Sequence, residues 1–147
     1  MCEAGLITQK VIRLSRRSYN HRIDVVSPNG YHNGQLARLN RELNNLYDII
    51  YDEWTSITEN DYKMFGGQLT LLIITIKQLY ETCKKLPKGM GLKEETIKLG
   101  TNYAALYELN SDIVNFRIKL PKNKDMKDVL NKLKEFDGEY IAMARTR

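Results

Sequence analysis

Side-chain catalysis usually needs a base, and this chain offers two histidines, His21 and His32. No Glu-x-x-His occurs: Glu108 is followed three positions later by Ser111, and Glu139 by Ala142. That removes the pattern by which helical bundles hold paired metal ions. Cys2 and Cys83 have no C-x-x-C partner, which speaks against structural zinc. A G-x-S-x-G nucleophile turn is absent, and so is a reactive Cys-His signature. The acid pairs Asp52-Glu53, Glu94-Glu95 and Asp125/Asp128 read as solvated faces, because adjacent helical residues point apart. Gly89-Met90-Gly91, between Lys88 and Lys93, could hold a phosphate at a helix N-terminus. It lacks the G-x-x-x-x-G-K-[ST] spacing of a phosphate loop and reads as an interhelical turn. The expectation is a protein that is not an enzyme and uses no metal or cofactor.

The charge is distributed more tellingly than these motifs. Seven basic residues stand against two acids in residues 1–41, a net +5 that equals the charge of the whole chain. All but Lys10 are arginines, whose planar fork suits bidentate pairing with carboxylate or phosphate. Tyr19 and Tyr31 lie among Arg16, Arg17, His21, Arg22 and His32. Basic groups interleaved with aromatics can follow a nucleic-acid backbone and stack on bases. The same mixture fits an acidic protein groove, and a merely solubilising surface is also open. Arg13, Arg16, Arg17, Tyr19 and Arg22 are the expected partner- or phosphate-binding residues.

The elements that would carry these residues are helical. Leu36, Leu39, Leu43, Leu46, Ile50, Trp54 and Ile57 recur in steps of three and four, a helix from about Gln35 to Ile57 with Asn33 as N-cap. A second helix starts near Thr58 or Asn60, where Thr58 and Asp61 approximate a capping box. It carries Phe65, Leu69, Leu72, Ile76 and Cys83 inward, is weakened by Gly66-Gly67, and stops at Pro87. Cys83 on that seam reads as a small buried hydrophobe. A third helix spans about Lys93 to Phe116, with the seam Thr96, Leu99, Tyr103, Leu106, Asn110 and Ile113. Asn110 is either a buried register-setting residue or a partly exposed rim position. A fourth runs from Asp125 to about Met143.

The spacing therefore predicts an all-α protein: an antiparallel four-helix bundle over residues 35–147, preceded by a basic arm over residues 1–34 that is helical or extended. Ile23 to Val26 reads as a short strand or docking stretch. The apolar pairs Leu6-Ile7, Val11-Ile12 and Val25-Val26 have no evident internal partner, so loss of residues 1–30 should leave the bundle folded. The first residues lack the charge and apolar run of a signal peptide, and no apolar stretch approaches the ~20 residues of a membrane span. With two cysteines and no disulfide framework, the expected setting is cytoplasmic, or within a particle assembled inside the cell. The expected role is that of an assembly subunit whose arm docks onto protein neighbours in an oligomeric complex. A ring or connector component of a viral particle has this outline. Nucleic-acid binding through the Arg-rich region is the alternative.

Overall fold

Steps of three and four residues between apolar side chains close into helices wherever the chain is described. The computed structural model describes residues 3–26, 33–87 and 92–115. The expectations for Tyr31, His32, the Gly89-Met90-Gly91 turn and the helix from Asp125 lie outside those residues. The described residues form four α-helices and no strand: α1 (Ala4–Asp24), α2 (Asn33–Glu53), α3 (Glu59–Lys84) and α4 (Lys93–Ile113). No helix among them is long and apolar enough to cross a membrane.

The junction between α2 and α3 shows how local chemistry sets the boundaries. α2 ends at Glu53, earlier than the seam suggests, and a 3-10 turn covers Trp54–Ser56. The Thr58 side chain accepts a hydrogen bond from the Asp61 N–H at 3.1 Å, and the Asp61 carboxylate accepts one from the Thr58 N–H at 2.9 Å. This capping box satisfies two amides that would otherwise lack partners. Ile57 before the cap and Tyr62 in the first turn are both buried, at the positions of a hydrophobic staple. The extended backbone of Ile57 is what separates the two helices. α2 begins at Asn33.

Residues 4–24 are helix, and Ile23 to Val26 continue it through Asp24 rather than forming a strand. Each apolar pair of this segment divides between two faces. Ile7, Val11 and Val25 are fully buried, while Leu6 and Val26 face solvent and Ile12 is half-buried. The buried members, with Ala4 and Leu14, belong to one cluster with Leu36, Leu43, Phe65, Leu72 and Leu99 of the other helices. The expected boundary between an arm of residues 1–34 and a bundle of residues 35–147 therefore does not separate two packing units among the described residues. The physical reason is the 3.6-residue period: of two adjacent apolar residues, one turns inward and the other about 100° away.

α1 packs most extensively on α3 and also on α2, while α4 packs on α3 and α2, closing a ring in the order α1, α3, α4, α2. Ala4, Ser15 and Ser18 are small, buried residues of α1. Register follows from named contacts. The Glu3 N–H reaches the Glu53 carboxylate at 3.2 Å, and Arg17 pairs with Glu42, contacts that join α1 and α2. Tyr62 reaches Asn110 and the Tyr80 ring lies against Gly100, contacts that join α3 and α4. Arg22 meets Gln78 at 3.2 Å, which puts the C-terminal halves of α1 and α3 side by side.

Between α3 and α4 the apolar packing encloses a short polar chain. The Tyr62 hydroxyl donates to Asn110 Oδ1 at 2.7 Å, and Asn110 Nδ2 lies 3.5 Å from Thr70 Oγ1, which donates to the Gly66 carbonyl at 2.9 Å. Asn110 is fully buried, so it holds register rather than standing at the rim. Burial pushes the Tyr62 phenol up to about 12, against the opposing effect of its hydrogen bonds to Thr70 and Asn110.

The two adjacent glycines of α3 are not equivalent. A Cβ at Gly66 would collide with the Tyr62 ring, which its bond to Asn110 holds in place. A Cβ at Gly67 would meet nothing within 4 Å. Gly66→Ala is expected to destabilise the protein by ~1–3 kcal/mol through overpacking. Gly67→Ala is expected to stabilise it by ~0.5–1 kcal/mol through helix propensity alone. Urea titrations of the two variants check this, and shifts of the same sign would mean that Tyr62 is free to move aside.

Candidate docking face on the first helix

The buried stripe Ile7, Val11, Leu14, Ser18 and Val25 fixes which way every other residue of α1 points. Opposite it lie Leu6, Gln9, Arg13, Arg16, Asn20 and Ile23, all exposed. Arg13 and Arg16 stand on this outer face one turn apart. Neither forms an ion pair among the described residues. Ile23 on this face is 53% exposed and Tyr19 on its flank 55% exposed, so apolar area lies beside the charge.

The five residues singled out from sequence do not converge. Arg13 and Arg16 point outward. Arg17 lies on the flank toward α2, half-buried, in an ion pair with Glu42. Arg22 lies on the opposite flank, where its guanidinium donates to Gln78 Oε1 of α3. Tyr19 is on that same side of the helix. Sequence periodicity alone could have sorted them, once Leu14 and Ser18 were known to face the core.

Reading the arm by itself missed its partners on α2. Arg38 Nε lies 3.6 Å from the Glu42 carboxylate that also holds Arg17, so two guanidinium groups from two helices share one acid. The Arg17 pKa is lowered by burial, then by the charges of Arg38 and Arg13. His21 is lowered as well, by burial and then by Arg17, with Asp24 acting the other way. The i, i+4 spacing of Arg38 and Glu42 off the α2 seam was the available signal.

Glu95 corrects a second expectation. Its acid pair with Glu94 read as a solvated face, yet Glu95 is 7% exposed. Asn40 Nδ2 donates to its carboxylate and to its backbone carbonyl, both at 2.9 Å, and Lys98 Nζ lies 3.3 Å from its other oxygen. Asn102 Nδ2 in turn donates to Asn40 Oδ1 and to the Asn40 carbonyl, both at 3.2 Å. A carboxylate enters a helix interface only when such donors replace water. This chain of amides lies under a groove of about 420 Å³ between α2 and α4, rimmed by Arg41, Asn44 and Lys98. Cys83 is buried, and that burial pushes its thiol up to about 11, so it sits in the core as an inert group.

Chemically, the exposed side of α1 offers a cation-rich surface. No three of His, Cys, Asp or Glu gather where a metal ion could be held among them. The exposed arginines of α1 can pair with carboxylate or phosphate, and the adjoining Tyr19 and Ile23 can supply apolar contact. The chain matches no protein-family model, no curated protein and no solved structure at a significant level.

Proposed function

We propose that this protein is a non-enzymatic assembly subunit that docks onto neighbouring protein subunits through the outer face of α1. The reading takes the helices as a bundle whose antiparallel pairs are α1/α2 and α3/α4. The observation that carries it is the pair Arg13 and Arg16, exposed and without acid partners among the described residues, beside exposed Tyr19 and Ile23. A rigid helix presenting arginine and an aromatic ring at low entropic cost is how hot spots are commonly built. A cytoplasmic setting, or an internally assembled particle such as a viral ring or connector, accords with this role.

The same cations and Tyr19 favour nucleic acid as the second reading. Light scattering separates the two. The full-length protein should show a mass above 17.1 kDa that persists at about 1 M salt, because apolar contacts resist screening. The double variant Arg13→Glu/Arg16→Glu should lower that mass toward the monomer with an unchanged helical circular dichroism signal. A monomer under all conditions that gains mass only with added oligonucleotide, and loses it at high salt, would replace the first reading by the second.

A further inference from the structure

Between the C-terminal half of α1 and the first turns of α2 lies a cleft of about 230 Å³, lined by Arg17, Asn20, His21, Asp24, Gln35 and Arg38. We propose that this cleft is a binding site for a phosphate group. The inference does not depend on which macromolecule meets the outer face of α1.

Arg17 and Arg38, one from each helix, line the cleft and share the carboxylate of Glu42, which lies outside the lining. Each guanidinium has five N–H donors, so one shared carboxylate leaves donors unused on both. Arg13 stands close enough to add to the field on Arg17. Two guanidinium groups thus share one carboxylate, with Arg13 adding positive field from the outer face of α1. Asp24 is the one acid in the lining, and it is exposed, where solvent screens it. Asn20 and Gln35 add amide donors from the two walls, and Gln35 lies in the first turn of α2, at the positive end of its dipole.

Size narrows the ligand. Pockets for drug-sized molecules run to roughly 300–1,000 Å³, so this cleft suits a phosphate group and its waters rather than a whole nucleotide. A tetrahedral anion carrying up to two charges can take forked hydrogen bonds from Arg17 and Arg38 together. In this view Glu42 is the internal competitor that occupies the arginines until phosphate displaces it.

The competition gives the test a sign that a purely structural ion pair would not. Nitrogen-15 NMR of the arginine Nε–H groups in the full-length protein would follow titration with inorganic phosphate, at ionic strength held constant with sodium chloride. The Arg17 and Arg38 signals should shift saturably. Arg38→Gln should weaken the apparent affinity by about tenfold or more, the loss expected for one charge-assisted pair. Glu42→Gln should strengthen it several-fold by removing the competitor. Thermal melts identify variants that fail to fold, and Arg38→Lys, which keeps the charge without the fork, then takes their place with an intermediate loss. Ribose 5-phosphate distinguishes sources: tighter binding than inorganic phosphate supports a phosphorylated small molecule, and equal binding supports free phosphate. Shifts that follow ionic strength alone, or an affinity unchanged by Arg38→Gln and by Glu42→Gln, would overturn the proposal.

Discussion

Removal of residues 1–30 is expected to abolish the cooperative thermal transition of the protein. Ile7, Val11, Leu14 and Val25 are between 0% and 1% exposed, and all four belong to the common core. Burial of each is worth about 1.5–3 kcal/mol, so the four together rival the ~5–15 kcal/mol by which a whole domain is stable. The loss would also bare the faces of α3 and α2 on which α1 packs. Circular dichroism of residues 31–147 during a thermal melt is the measurement. A retained helical signal with a sharp melt would show that α1 is dispensable, as the sequence expectation had it. A broad, non-cooperative loss, with exposed apolar surface reported by dye binding, is the expected result.

The second large effect concerns the middle of α2. Leu43 is fully buried between Leu39 and Leu46 on the inner face of the helix. Leu43→Asp should remove ~2–5 kcal/mol of packing. It should also bury a carboxyl whose desolvation without a partner costs ~1–3 kcal/mol. Burial would raise the pKa of the new carboxyl in the folded state above its unfolded value. The folded state then binds the proton more tightly, and stability is lost as pH rises from the unfolded value through the higher folded one. The deficit should therefore be larger at pH 7 than at pH 3.5. Arg41→Glu, two residues away on an exposed position, should change stability by less than ~0.5 kcal/mol. Melting curves of both variants at the two pH values check the prediction. Equal losses for the two substitutions would mean that α2 does not face the core as described.

Much of the helical architecture was legible in the sequence. The seam from Leu36 to Ile50, the capping box at Thr58 and the inward row from Thr96 to Ile113 are local properties, set by a 3.6-residue period and by side chains within one turn of each other. The basic residues of α1 were visible too, as charge and as residue type. Their division was not. Arg17 turns to Glu42 and Arg22 to Gln78, partners 25 and 56 positions away, and only the remaining arginines stay outward.

What the sequence by itself determined was the helical state of α2, α3 and α4 and the location of the charge, because both depend on neighbours in the chain; residues 1–34 stayed open between helix and extended chain. Whether residues 4–24 belong to the core, whether Glu95 is solvated, and which arginines share an acid were decided by tertiary structure alone. Burial depends on what lies across the interface. Ile7 and Leu6 are chemically alike and adjacent, yet α3 and α2 cover the face that holds one of them and leave the other in water. Glu95 is held inside by the amide of Asn40, 55 residues earlier, which no local pattern announces.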